Sequence, residues 1–422
     1  MDKITITPTP LCGKVKIPPS KSYAHRAIIA AFLSGGKCNL NNIAMSDDIM
    51  ATLNCIKALG GSFSQSTDKT ALLVEKKDKP LNQPSLDCNE SGSTLRFFIP
   101  IALCFAENIE FWGKGRLMER PLTPYFEIFD KAGIKYNQNG SVLSVNGKLS
   151  AGDFSIDASL SSQFVTGLLF ALPLLDGDSR ILIQGELSSK GYIDITLDVL
   201  RTFGIEIENQ DYKLFIIKGN QKYKPTNYTV EGDFSQAAFF LTAGALGSNI
   251  ICEGLNPKSL QGDKKIFDII EKIGARLEET EAGCYRAVQT EEMHAATIDA
   301  DEIPDLVPIL AVLLSFCKGE SRIVNAGRLR IKESDRLTAI TVELKALGAD
   351  IQEGADFLVI NGIQTLKGAQ VSSHNDHRIA MAAAIAACRS HGDVTITKAL
   401  DAVKKSYPDF FEDYAKLGGV FA

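Results

Sequence analysis

One pattern recurs six times along the 422 residues. A β-like run enters a short polar turn, and the turn opens an apolar helix of small residues. The copies read VKIPPSKSYAHRAIIAAFL, LDCNESGSTLRFFIPIALC, FSIDASLSSQFVTGLLFAL, YTVEGDFSQAAFFLTAGAL, ATIDADEIPDLVPILAVLL and AQVSSHNDHRIAMAAAIAAC. After each comes an amphipathic helix that ends in glycine, at Gly60, Gly133, Gly204, Gly274, Gly348 and Gly418, and then a further strand. Each glycine fits a helix C′ position, where a left-handed backbone is cheap only for glycine. The period, about 70 residues, is long for a solenoid and suits a βαβαββ unit.

Six such units exceed one ordinary core, so the repeat predicts an α/β (α+β) chain of two domains with three units each. The first helices, such as Met381 to Ala387, are apolar almost all round and belong inside a domain. The second helices, such as Asp263 to Ile273, alternate faces and belong nearer solvent. Buried helices inside and sheets outside follow, with the units of each domain set around a pseudo-threefold axis. The polar stretch Lys222 to Thr226 marks one crossover between domains. The other is expected near Ile17 to Ser20, because the first strand has to complete a sheet somewhere. The expected domains are residues 1–18 plus 228–422, with the N-terminal strand joining the C-terminal domain, and residues 19–227.

A net charge of −6 argues against a general nucleic-acid binder. The longest apolar runs, such as Val307 to Cys317, fall short of the ~18 residues that span a bilayer. Met1 to Ile6 reads as a strand with no signal-peptide core behind it, so a cytoplasmic protein is expected. None of the nine cysteines forms a Cys-x-x-Cys, and Cys104, Cys317 and Cys388 sit in apolar helical runs as small buried hydrophobes. Five histidines without paired ligand spacing speak against a structural zinc site.

The chemistry therefore has to lie in the polar turns. A helix start has unpaired N–H groups and partial positive charge. In the first turn Pro18 and Pro19 stop the strand, Ser20 or Ser22 can cap the helix, and Lys21 and Arg26 add whole charges. That is the composition of an anion pocket. The second turn carries Glu90, Ser91, Gly92, Ser93, Thr94 and Arg96, and the loop Gly113 to Pro121 adds Arg116 and Arg120. The third offers Ser161, Ser162 and Gln163, followed by Ser189. The fourth, Glu231-Gly232-Asp233, has no cation and reads as capping. The fifth gives Asp305, and Lys332, Glu333 and Arg336 follow, with Lys332 and Arg336 on one face if the stretch is helical. The sixth gives Asp376, His377 and Arg378, with Lys405 beyond it. His377 reads equally as a structural or an acid–base group. Cations recurring at turns in both halves of an acidic chain imply a cleft for small polyanions, whose closure the ligands would favour.

The stretches PPSKSYAHRA, SGSTLRF, MERP, SSQFVTGLL, SKGYIDIT, VEGDFSQAAFFL, QGD, EIPDLVP, LRIKESDRL, NDHRIAMA and KKSYPDFFEDYAKLG resemble the 5-enolpyruvylshikimate-3-phosphate synthases (3-phosphoshikimate 1-carboxyvinyltransferases) from end to end. The resemblance implies the two-domain enolpyruvyl-transferase fold with an active site in the interdomain cleft. It implies that the 5-hydroxyl of 3-phosphoshikimate attacks phosphoenolpyruvate, in a monomer that needs no metal or organic cofactor. It further implies that Lys21 touches both substrates. Ser22, Arg26, Ser161, Ser162, Gln163, Ser189, Asp305 and Lys332 would hold 3-phosphoshikimate. Gly92, Arg120, Gln163, Arg336, Arg378 and Lys405 would hold phosphoenolpyruvate. Asp305 would accept the hydroxyl proton, and Glu333 would protonate the methylene carbon, drawing its proton from a neighbour or from burial.

Two positions depart from the family pattern. Glu90 stands where many members have asparagine, and Arg328 where some do. Arg328 either adds a phosphate contact or points elsewhere. The related UDP-N-acetylglucosamine enolpyruvyl transferases usually carry a cysteine in the loop matching Gly113 to Pro121 and an asparagine after the first lysine. This chain has no cysteine there and has Ser22. A non-catalytic anion-binding protein on the same fold would have lost Lys21, Asp305, Glu333 or Lys405, and all four are present.

Overall fold

The computed structural model describes residues 3–77 and 82–422. The chain forms two compact units: Lys21–Val230, and Glu231–Ala422 together with the N-terminal segment through Ser20. Each has its own hydrophobic core.

The six sheets share one topology: a parallel pair of strands, then two antiparallel strands on the second, joined as a hairpin in five of the six. In the Lys21–Val230 unit the helices are α1 (Lys21–Leu33), α2 (Asp47–Ala58), α3 (Gly92–Ala102), α4 (Thr123–Ala132), α5 (Gln163–Ala171) and α6 (Lys190–Thr202). The other unit carries α7 (Phe234–Ala245), α8 (Ile266–Lys272), α9 (Val307–Leu314), α10 (Arg336–Ala346), α11 (His377–Ala387), α12 (Ala399–Val403) and α13 (Phe410–Lys416). Every residue of α7, α9 and α11 is buried, and α3 and α5 each expose part of a single polar residue at their start. Strands such as Asn108–Trp112 and Ser179–Gln184 alternate buried and exposed side chains. Each sheet therefore covers the helices with one face and meets solvent with the other.

Strand pairing departs from the order of the sequence in three places. Cys12–Lys16 pairs in parallel with Asn249–Glu253, in the unit that does not contain α1. Tyr228–Thr229 pairs with Leu40–Asn41, in the unit that does not contain α7. The first and fourth copies of the repeat, continuous in sequence, are thus divided between units, each strand going one way and its helix the other. Lys3–Thr7 completes the sixth sheet, between Ser390–Thr397 and Val420–Phe421. The second crossing falls at Val230–Glu231, not at Lys222 to Thr226, because Tyr223 is buried and donates its hydroxyl to the Phe170 carbonyl in the first unit. A division before Tyr228 would separate that strand from its partner. The segments leading to the two crossings pair with each other, Ser20 N–H donating to Glu231 at 2.7 Å and Asp233 N–H to Pro18 at 2.9 Å.

The six repeat glycines all have positive φ, from 70° to 90°. The nine cysteines are free thiols. Cys317 is buried as expected, whereas Cys104 and Cys388 are only half-buried. Among the described residues, no helix is long and apolar enough to cross a membrane.

The glycines differ in what surrounds them. A Cβ at Gly133 would meet nothing, whereas one at Gly274 would lie 2.7 Å from the Glu292 carbonyl oxygen. Gly133→Ala should cost only the backbone term, about 1–2 kcal/mol. Gly274→Ala adds a backbone clash and should lose measurably more in urea unfolding. Equal losses at the two sites would refute this account.

Candidate active site

In the Lys21–Val230 unit the polar groups collect where the buried helices begin. Lys21 opens α1, and its Nζ lies 2.8 Å from the Asp48 carboxylate in the first turn of α2. Ser20 precedes α1, but its buried hydroxyl has no hydrogen-bond partner, so the expected cap is not made by Ser20. Arg26 is buried 1.5 turns into α1. It donates to the Thr196 hydroxyl at 2.8 Å and to the carbonyls of Ser22 and Tyr192 at 2.8 and 3.0 Å. The Phe97 ring lies 5.1 Å away. No carboxylate pairs with Arg26 among the described residues; burial lowers its pKa to about 10, and it stays charged at neutral pH.

A hydroxyl relay ties these helices together. His25 Nδ1 lies 2.7 Å from Thr52 Oγ1, Thr52 lies 2.8 Å from Thr94, and Thr94 donates at 2.8 Å to Ser91, which caps α3. Burial, with Lys21 and Arg26 nearby, pushes the His25 pKa far down, so its ring is neutral.

At the start of α3 and α5, Arg96 donates to Gln163 Oε1 at 2.7 Å and Gln163 donates to Ser93 Oγ at 2.8 Å. Gly92 lies inside this group. A Cβ there would come within 2.9 Å of an Arg120 nitrogen and 3.3 Å of an Arg96 nitrogen. A side chain at this position would have to push both guanidinium groups aside. Glu90 packs instead against Gly115 of the neighbouring loop. Ser161 accepts from the Gln163 N–H, and Ser162 is the buried residue before α5. Ser189, before α6, has φ of 57°, a conformation that serine keeps only where its surroundings impose it.

The second unit concentrates charge of both signs. Asp305 sits on a turn of 3-10 helix, Pro304–Leu306, ahead of α9. Arg336 reaches it at 2.8 Å, Arg378 at 3.1 Å and Lys332 at 3.8 Å. Arg378 also donates to the Asp305 carbonyl at 3.0 Å. Arg336, 1% exposed, donates in addition to Glu333 at 2.7 Å and to Asp376 at 2.8 Å. Burial would raise the pKa of Asp305, but Arg378, Lys332 and Arg336 hold it well below the usual carboxylate range. Burial lowers Lys332 to about 8, against the pull of Asp305. Lys332 and Arg336 are not on one helix, because the 3-10 turn Gly327–Ile331 ends at Lys332 and α10 begins at Arg336; they converge through Asp305. Lys405 Nζ donates to the Asn375 carbonyl at 2.7 Å, in the turn ahead of α11. Arg328 is tied to the carbonyl and carboxylate of Asp301, the latter at 3.1 Å.

Three acids emerge to which the sequence reading gave no individual role, Asp376 having been named only with the sixth turn. Asp48 holds Lys21. Asp376, fully buried, caps α11 and anchors Arg336 and Ser334. Asp263, buried against the Ser235 hydroxyl, is raised to about 7 by burial and by Asp305. Asp48 and Asp376 stand at helix starts, where an acid ordinarily serves the helix.

Clustered cations in each unit at the N-terminal ends of buried helices, on six sheets of one topology, define an enolpyruvyl-transferase fold. The protein titled EPSP synthase from Acinetobacter baumannii superposes with a TM-score of 0.81, covering 100% of both chains at 23% identity. The enolpyruvyl transferase NikO from Streptomyces tendae gives 0.80, covering 100% of this chain and 98% of its own, at 16% identity. At those identities the likeness is one of fold. The family is shown by sequence: the EPSP synthase model (3-phosphoshikimate 1-carboxyvinyltransferase) matches residues 6–414. The 3-phosphoshikimate 1-carboxyvinyltransferase of Clostridium perfringens is 51% identical over 422 residues, 100% of this chain and 99% of that protein. The chain belongs to the EPSP synthase family.

Removing Asp376 leaves Arg336 with fewer anions in a buried site and α11 without its cap. Asp376→Ala should destabilise the protein by about 3–5 kcal/mol in urea unfolding, and Asp376→Asn, which can still cap, by less. A loss below about 1 kcal/mol for Asp376→Ala would show that the cluster is not held as described.

Proposed function

We propose that the protein transfers the enolpyruvyl group of phosphoenolpyruvate to the 5-hydroxyl of 3-phosphoshikimate, releasing phosphate, in aromatic amino acid biosynthesis. The observation that carries this reading is membership of the family along the whole chain, with Lys21, Asp305, Glu333 and Lys405 all in place. Each substrate brings a carboxylate and a phosphate of about −1.5 to −2 charge. Clustered lysines and arginines are the groups that neutralise such charge and hold two anions together. That role calls for no metal or organic cofactor.

In this reading Lys21 contacts both substrates. Ser22, Arg26, Ser161, Ser162, Gln163, Ser189, Asp305 and Lys332 hold 3-phosphoshikimate. Gly92, Arg120, Gln163, Arg336, Arg378 and Lys405 hold phosphoenolpyruvate. The 5-oxygen bonds to C2 of phosphoenolpyruvate while its proton passes to Asp305 and Glu333 delivers a proton to C3. The C2–O bond to phosphate then breaks, C3 gives up a proton, and the enolpyruvyl ether remains. The enzyme works as a monomer in the cytoplasm.

Phosphate release from phosphoenolpyruvate is expected with 3-phosphoshikimate as acceptor and not with UDP-N-acetylglucosamine. Lys21→Ala should slow it at least about 100-fold. Release with the sugar nucleotide alone, or with neither acceptor, would overturn the reading.

Lys332 sets a pH dependence. With a pKa of about 8 it is charged below that pH and neutral above it. Affinity for 3-phosphoshikimate, measured by calorimetry, should therefore fall as pH rises through 8. Lys332→Arg, charged throughout, should flatten that fall. A wild-type affinity constant between about pH 7 and 9 would remove Lys332 from the binding site.

A further inference from the structure

The buried helices of the Lys21–Val230 unit have a second end. At their C-termini lies a cavity of about 520 Å³, within the range of small-molecule sites. Leu33 closes α1, Cys104 and Phe105 follow α3, and Leu174 and Leu175 follow α5; all five line it. The helices are 9 to 13 residues long, so the cavity lies about 14–20 Å from Lys21, Gly92 and Gln163 at their opposite ends. It is separate from the cation cluster of this unit.

The lining carries three charges, on Lys76, Lys148 and Asp176. Lys76 is half-buried at the end of the strand Ala71–Lys76, with its Nζ 4.2 Å from the centre of the Phe105 ring and 5.7 Å from that of Phe32. Among the described residues, neither Lys76 nor Lys148 pairs with a carboxylate. Asp176 accepts from the Asn220 side chain at 2.9 Å. The Cys104 thiol donates to carbonyls at the ends of α3 and α5, and burial lifts it to about 12, so it is a neutral wall. Cations suit the carbonyl ends of helices. That explains lysines at this end of the unit, but it does not explain an open volume walled by leucine and phenylalanine between them.

Among the described residues the lining sets two lysines against one carboxylate, which outweighs part of the negative charge of the helix ends, over an apolar floor with one aromatic face. We propose that this cavity binds a small monoanion with an apolar body, of the aryl-carboxylate class. Its carboxylate would meet Lys76 and Lys148, and its ring would pack on Phe105 and the leucines. Burial lowers the pKa of Lys76, and an anion beside it would raise it again.

The probe is 4-fluorobenzoate, observed by fluorine NMR on the full chain. Saturable line broadening is expected, with a dissociation constant on the order of 1 mM or tighter. It should persist when 3-phosphoshikimate and phosphoenolpyruvate are both saturating. Lys76→Met with Lys148→Met should weaken it at least tenfold while phosphate release continues at the wild-type rate, which also shows that the variant is folded. Ser150→Trp, at an exposed position of the lining, should block the probe and leave both lysines in place. Displacement by the two substrates would place the probe in the active site and overturn the proposal. Unchanged binding in the double methionine variant, or no saturation up to about 10 mM, would overturn it as well.

Discussion

Helices with no polar face can carry chemistry only at their ends. In α7, α9 and α11 every residue is buried, so a charge placed midway would be stranded in the core. The termini escape that limit, because their N–H groups are already unpaired and their partial charge favours anions. Arg26 shows what an exception requires. It lies inside the buried part of α1 and needs two carbonyls, a threonine hydroxyl and a phenylalanine face to hold its charge. The hydroxyl relay from His25 to Ser91 serves the same end, satisfying polar atoms where three helices meet below the surface. Sheets on the outside and anion chemistry at helix starts are thus two results of one packing choice.

The two units meet their charge in different ways. In the Glu231–Ala422 unit, Arg336 is matched by Asp305, Glu333 and Asp376 with no ligand present. An arriving anion there has to exchange with a carboxylate, so its gain is the difference between two ion pairs. In the Lys21–Val230 unit, Lys21 is likewise paired with Asp48, but Arg26 is held by neutral groups alone, and an anion near Arg26 gains its interaction without displacing another. The first arrangement favours selectivity, because only an anion of the right shape replaces contacts already made. The second favours affinity.

The repeat, the six glycines and the burial of the first helices were legible because each is a local property: a hydrophobic period, a residue type at a helix end, a helix with no polar side. The exchange of Cys12–Lys16 and Tyr228–Thr229 between units was legible only as the need for a crossover, since nothing in a short strand specifies which parallel neighbour it takes. At the first crossing, the prolines and the polar turn lie beside the division at Ser20–Lys21. At the second, the polar run Lys222 to Thr226 misled, because Tyr223 within it is anchored by burial. Asp48 and Asp376 were hidden by their own plausibility. An acid at a helix start needs no further explanation, and only coordinates show Asp48 against Lys21 and Asp376 against Arg336. Lys332 and Arg336 point the other way: the spacing of four suggested a shared helical face, yet they meet through Asp305 across the start of a helix.

The state of Asp305 bears on how such a site could work as a base. Burial opposes its charge, and three cations overcome that opposition, leaving a carboxylate too acidic to take a proton readily. Those cations are the groups proposed to receive the substrate anions. Each one that turns toward a phosphate or carboxylate gives Asp305 less support, while burial continues to press its pKa upward. Asp263, already raised to about 7 nearby, shows how strongly this pocket favours a neutral carboxyl once pairing is weak. Glu333 is bound by the same logic, since its partner Arg336 is shared with Asp305 and Asp376. Substrate binding and base strength are therefore coupled through the same arginines. In the proposed reaction, Asp305 would gain base strength as the substrate anions take its cations.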